Sequence, residues 1–287
     1  MGNVCCSHGD PKRGSPPAQS QASSAENVNH SSTTAHTILE QQPADNGQCA
    51  KVCTHSQKST IELKGRSHSA NGAMIGDLFN KYKSPDQDII EAEGICQLCE
   101  DLELEADDFR ILVLAWYCQA SQMCQFTREE FTNGLLGLKA DSISSLKTAL
   151  QDVSSQLKPL TSIDYHSLYK WAFSFALESE TQRTLSVEMA SQLWKVVFSP
   201  DEPPILDFWL NFLESSGDSV RGISRDTWNL FLIFVRRCAH DLSTYDETEA
   251  WPSLFDDFVH FHNDQTNQNC SKTSWDGTGG GNVISSP

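Results

Sequence analysis

The first 78 residues contain no phenylalanine, tyrosine or tryptophan. A segment without aromatics, and rich in Ser, Asn, Gln, Pro, Gly and His, buries too little apolar surface to offset its ordering entropy. Residues 1–73 are therefore expected to be a disordered tail. The structured domain is expected over 74–262, with a second Asn-, Gly- and Ser-rich disordered tail over 263–287. Positive charge is also scarce, 21 Lys and Arg against 38 Asp and Glu, for a formal net charge of −17. The N-terminal tail is nearly neutral, with Lys12, Arg13, Lys51, Lys58, Lys64 and Arg66 against Asp10, Glu26, Glu40, Asp45 and Glu62. The acidity thus belongs to the domain. That argues against nucleic acid as a partner, because backbone binding needs cations to displace counterions. It suits steering toward a basic protein surface. Long apolar runs are missing too. The longest, Ile111 to Cys118, is far short of the about 20 residues that span a bilayer. The start lacks an apolar signal-peptide region, so no secretory signal is expected. No alternating strand pattern and no internal repeat is evident.

Cysteine is not scarce, with ten in the chain, but its spacing excludes more than it offers. Cys49, Cys53 and His55 have loose metal-like spacing within the tail. Cys96 and Cys99 form a CxxC on a helical pattern, and no second CxxC or histidine pair completes a four-ligand site. No metal and no cofactor is expected. Cys124 is the nearest candidate nucleophile, but it lies between Met123 and Phe126 with no adjacent His to lower its pKa, so no catalytic residue is expected. Cys96, Cys99, Cys118, Cys124 and Cys238 read as small buried hydrophobes, and in a reducing compartment as thiols rather than a disulfide framework.

What the chain does contain is helical periodicity, enough for about ten helices. Thr127-Arg128-Glu129-Glu130 is a capping box opening one of them, and Thr161-Ser162-Ile163-Asp164 is a similar start. Pro203-Pro204 separates two helices. Trp228, Phe231, Leu232 and Val235 recur as i, i+3, i+4 and i+7, a single buried stripe from which Asp226 and Asn229 fall away. Pro252 suits the first turn of the last helix, whose Leu254, Phe255, Phe258 and Val259 face inward and whose Asp256 and Asp257 face out. The pattern leaves two exposed carboxylates, Asp226 and Asp256, near a small residue, Ala250. Taken singly, an Asp in a first helical turn needs no partner beyond the helix dipole.

The ordered set of motifs adds to this. Phe79-Asn80-Lys81-Tyr82-Lys83, Glu93-Gly94-Ile95, Leu114-Ala115-Trp116, Cys124 to Phe131, Ala140-Asp141-Ser142-Ile143, Phe173-Ser174-Phe175-Ala176, Leu193-Trp194, Asp207-Phe208-Trp209, Asp226-Thr227-Trp228-Asn229, Ala250-Trp251-Pro252 and Asp256-Asp257-Phe258-Val259 together resemble the defective-in-cullin-neddylation (DCN-like) family. The resemblance runs over roughly residues 74–262. It implies an all-α, multi-helix potentiating-neddylation domain, flanked by disordered tails, whose first helices resemble paired EF-hands. The calcium loop itself, Asp-x-Asp-x-Asp-Gly with Glu at position twelve, is absent. It implies a scaffold without a catalytic residue of its own. Asp226, Ala250 and Asp256 would grip the C-terminal winged-helix region of a cullin. Ile95, Leu98, Ile111, Leu112, Cys118, Cys124, Phe126, Phe175, Leu193 and Val196 would line a groove for the N-acetylated end of the neddylation conjugating enzyme. Each of these ten also reads as an ordinary core residue. Ala92 stands where relatives usually carry a larger aliphatic. An adaptor that sequesters or relocates cullins, and a lipidated calcium sensor, are the competing readings.

Met1-Gly2-Asn3-Val4-Cys5-Cys6-Ser7 is the remaining motif. Loss of Met1 would expose Gly2 for myristoylation, although Cys6 stands where the usual pattern has Ser or Thr. One myristoyl chain binds membranes only marginally. Palmitate on Cys5 or Cys6 would supply the second anchor. The expectation is a membrane partner reached through the N-terminal lipid, at the plasma membrane and perinuclear endomembranes with a cytoplasmic pool, nuclear entry being left open. This places the chain with the lipidated branch of the family.

Overall fold

A computed structural model describes residues 69–273 apart from 160, 180, 239 and 241, with side chains as far as residue 266. The described residues form ten α-helices and four two-residue strands. In chain order they are α1 (Gly72–Tyr82), β1 (Ile89–Ile90), α2 (Ala92–Leu102), α3 (Phe109–Cys118), β2 (Phe126–Thr127), α4 (Arg128–Gly137), α5 (Ile143–Gln156), α6 (Ile163–Phe175), β3 (Thr184–Leu185), α7 (Val187–Phe198), α8 (Leu206–Ser216), β4 (Ile223–Ser224), α9 (Arg225–Cys238) and α10 (Ser253–Thr273). The fold is all-α.

The helix starts follow from local chemistry. Asn71, Asp108, Thr127, Ser142, Ser162 and Ser186 each accept a hydrogen bond from a backbone N–H of the first turn they precede. These satisfy donors that a helix cannot pair internally. The capping box at Thr127–Glu130 is present in both directions. Ser224 plays the same part for α9, accepting from Thr227 N at 3.0 Å.

The strands are the first departure from the sequence reading. β1 pairs antiparallel with β2, Ile90 opposite Phe126, and β3 pairs antiparallel with β4, Leu185 opposite Ile223. Two residues give no alternation to detect. They nevertheless reveal a repeat that the sequence hides. Helix–strand–helix occurs twice in α1–α4, joined by β1 and β2, and twice more in α6–α9, joined by β3 and β4. The EF-hand-like pairing expected of the first helices thus recurs in the second half.

α3 packs against α4, α5, α6 and α7. This explains the longest apolar run, since every residue of α3 except Arg110 and Tyr117 is buried. The second half is filled by aromatic side chains. Trp194 stacks on Trp228 with centroids 5.0 Å apart, Tyr169 on Trp228 at 4.7 Å, and Trp209 on Phe231 at 4.7 Å. Tyr169 Oη donates to Trp228 O and accepts from Trp194 Nε1, both at 2.9 Å, and Trp228 Nε1 donates to Tyr169 O at 2.9 Å. The polar tips of Tyr169, Trp194 and Trp228 are thus all paired, as burial demands, whereas the buried Trp209 Nε1 has no hydrogen-bond partner among the described residues.

Three other expectations need correction. α10 runs to Thr273, eleven residues past the boundary expected at 262. Packing ends near Phe261 and residues 263–266 are exposed. No Gly or Pro interrupts the helix before its end, so nothing in the sequence stops it. Pro252 lies just before α10 rather than inside it, its carbonyl accepting from Phe255 N at 2.9 Å. Among the cysteines, Cys99, Cys118 and Cys238 are buried free thiols, as expected, but Cys96 is only half-buried. Cys124 departs further: it is half-buried, sits at φ 60° and is disulfide-bonded.

Candidate functional site

Two surfaces stand out. The first is an apolar cavity of ≈ 60 Å³ in the first half of the domain. Ala92, Ile95 and Cys96 reach it from α2, Ile111, Leu112 and Ala115 from α3, and Phe175 from the end of α6. Met123, Cys124, Gln125 and Phe126 close it from the segment between α3 and α4. Six of the ten expected groove residues meet here: Ile95, Ile111, Leu112, Cys124, Phe126 and Phe175. The other four do not. Leu98, Cys118 and Leu193 lie within the core at 2 % exposure or less. Val196, also buried, faces a separate hollow with Glu105, Asp107 and Lys195. Periodicity cannot separate a cavity wall from a core, because both are apolar at the same spacing. Of the lining residues that sequence reasoning missed, Ala115 follows Ile111 and Leu112 at i+4 and i+3 and was legible. Ala106, Met123 and Gln125 sit in connections with no period to find.

The wall between α3 and α4 is held by one side chain. Glu130 accepts from Ser121 N at 2.9 Å through one oxygen and from Thr127 N at 2.7 Å through the other. Burial pushes its carboxyl up, but the hydrogen bonds from Thr127 and Ser121 outweigh that, and the net shift is below the usual carboxylate range. Pairing of Ile90 with Phe126 fixes the far end of the wall.

The second surface lies on α9 and the segment leading to α10. Asp226, in the first turn of α9, is exposed and makes no hydrogen bond or ion pair among the described residues. Ala250 is exposed in the connection. Asp256 differs from its expected position in the open. It is half-buried in the first turn of α10 and accepts a 2.6 Å hydrogen bond from Tyr245 Oη. Burial, then that bond, pushes the Tyr245 hydroxyl well above its ordinary range, so the phenol stays a donor. Tyr245 and Trp251 pack together at 5.9 Å, and both pack on Phe234 of α9, at 5.7 and 6.0 Å. Arg237 lies over the Trp251 ring at 5.7 Å and pairs with Glu249 at 2.5 Å. Ala250 thereby sits between two residues, Glu249 and Trp251, that are held by Arg237 in the last turn of α9. Asp246, Glu247 and Glu249 are exposed in the same connection. The arrangement leaves carboxylates exposed or half-exposed on α9, on α10 and in the connection between them.

Gly2, Cys5 and Cys6 lie outside the described residues. No helix among the described residues is long and apolar enough to cross a membrane. No group of three or more His, Cys, Asp or Glu among them is arranged to hold a metal ion. Cys99 is a poor nucleophile, its thiol pushed up to about 11 chiefly by burial.

A family model described as "Cullin binding" matches residues 145–261. The chain is 41% identical over 213 residues to DCN1-like protein 3 of Homo sapiens, an alignment covering 74% of this chain and 69% of that protein. It is 46% identical over 188 residues to DCN1-like protein 3 of Drosophila melanogaster, covering 65% and 55%. Against DCN1-like protein 3 of Xenopus laevis the identity is 46% over 186 residues, covering 64% and 61%.

Proposed function

The chain belongs to the DCN1-like family, and on that premise we propose that it is a cullin-binding scaffold that promotes neddylation. The observation that carries this reading is the match to the cullin-binding family over 145–261, which contains Asp226, Ala250 and Asp256 on exposed or half-exposed positions of α9, α10 and their connection. The two carboxylates would pair with basic side chains of the cullin's C-terminal winged-helix region. Ala250 lets that surface approach closely. The apolar cavity would take the N-acetylated end of the conjugating enzyme. Its nearly all-hydrocarbon lining favours an acetylated end over a free one, because an ammonium buried without a partner is strongly penalised. Holding acceptor and enzyme together lowers the entropic part of the barrier without any catalytic group in the scaffold. N-terminal lipid on Gly2 and on Cys5 or Cys6 would confine the activity to membranes.

Calorimetry of the full chain with a cullin C-terminal domain tests the first surface. Binding that is lost in an Asp226→Ala, Ala250→Arg, Asp256→Ala variant with an unchanged melting temperature supports the reading. Equal binding by that variant removes the acidic patch from it. Metabolic labelling with a myristate analogue, compared with Gly2→Ala, tests the anchor, and no label on the wild-type chain would remove it.

A further inference from the structure

On α9, residues at i, i+4, i+7 and i+11 from Asp226 are Leu230, Ile233 and Arg237. At 100° per residue these four share one face. The core takes Trp228, Phe231, Leu232, Phe234 and Val235 from the rest of the helix, and Leu230 packs at its edge. Leu230 is half-buried, and Ile233 is 38 % exposed, one of five large apolar side chains that exposed among the described residues. Its two ends are already parts of the acidic surface. Asp226 stands at one end. At the other, Arg237 holds Glu249 and Trp251, the neighbours of Ala250. The span from Asp226 to Arg237 is about 16 Å of helix. Leu230 and Ile233 lie on α9 between Asp226 and Arg237.

We propose that Leu230 and Ile233 are the apolar floor of the cullin-docking surface, and that the docked segment is amphipathic, with a basic side chain against Asp226 and an aliphatic or aromatic side chain seated on Ile233. The inference rests on the cullin reading of Asp226 and Ala250. Continuity with that surface, and the exposed Asp246, Glu247 and Glu249 beside it, argue for a basic protein segment. The two contributions differ in salt dependence. The Debye length falls from about 10 Å at 0.1 M to about 3 Å at 1 M, so an exposed ion pair fades while an apolar contact persists.

The test is calorimetry of the full chain with a cullin C-terminal domain at those two salt concentrations. Variants are Asp226→Ala, Ile233→Ser and Ile233→Leu, each melted to check folding. The inference predicts that Ile233→Ser weakens binding roughly tenfold at both concentrations, as expected for one apolar anchor, and makes the heat-capacity change of binding less negative. Ile233→Leu should bind as wild type, and Asp226→Ala should lose most at low salt. Ile233→Ser binding as tightly as wild type, while Asp226→Ala binds weakly, would overturn the floor and leave the acidic reading intact. No wild-type binding at either concentration would overturn both.

Discussion

Asp256 is the residue whose surroundings matter most to the docking surface. Tyr245, eleven positions earlier, donates to it and fixes its rotamer before any partner arrives. Preorganisation of this kind lowers the cost of ordering on association. Tyr245→Phe should therefore weaken cullin binding by severalfold while the melting temperature changes little, and an unchanged Kd in titration calorimetry would count against the role. In the cavity, Ala92 stands at the rim with little side chain of its own. Ala92→Phe should fill the space and reduce the affinity of an N-acetylated conjugating-enzyme peptide at least tenfold, measured by fluorescence anisotropy. A wild-type affinity would mean that the peptide docks elsewhere. Gly134 is needed for close packing. A Cβ there would overlap Cys118 in α3. Gly134→Ala should cost about 1–3 kcal/mol, the range for forced overpacking, read by thermal or chemical denaturation.

The elements carry their own signals unequally. Caps are local, a side chain and the turn after it, so Thr127 and Ser162 were legible from sequence. Aromatic stripes such as Trp228, Phe231, Leu232 and Val235 were legible for the same reason, since one helix supplies the whole period. Strands of two residues were not, and with them went the doubled helix–strand–helix arrangement. The half-burial of Asp256 is not legible from its own helix, because its partner Tyr245 comes from a separate connection. Leu98, Cys118 and Leu193 lie in the core and not at the cavity, and an apolar residue reads alike in either place. The capping box joins the two kinds of information: Glu130 caps α4 and also restrains the cavity wall through Ser121. Thr127→Ala should cost about 1 kcal/mol, a usual value for a lost N-cap. Glu130 has a folded pKa below its ordinary value. Its contribution is present above that ordinary value and is lost as pH falls through the folded one. The stability difference between wild type and Glu130→Gln should therefore shrink on acidification below about pH 4. A difference that stays constant from neutral pH to pH 3 would contradict this account.

Across the domain, the two halves share an element order but not an interior. The second is filled by Tyr169, Trp194, Trp209 and Trp228, each fully buried. The first packs Phe79, Phe126 and Phe131 together and retains a cavity, lined in part by Ala92, Ala106 and Ala115. Phe175, at the end of α6, lines that cavity from the second half. The molecule thus has one apolar recess and one acidic face, with an aromatic interior behind the acidic face. On the proposed reading, rate enhancement would come from holding two partners in one geometry. The central claim is most directly tested by single-turnover transfer of the modifier from the charged conjugating enzyme to a cullin, with and without the full chain. The account predicts a faster transfer with the wild-type chain, abolished by the Asp226→Ala, Ala250→Arg, Asp256→Ala variant and reduced when the enzyme's N-terminus is not acetylated. An unchanged transfer rate with a chain that demonstrably binds the cullin would contradict it and make the protein an adaptor that only holds or relocates cullins.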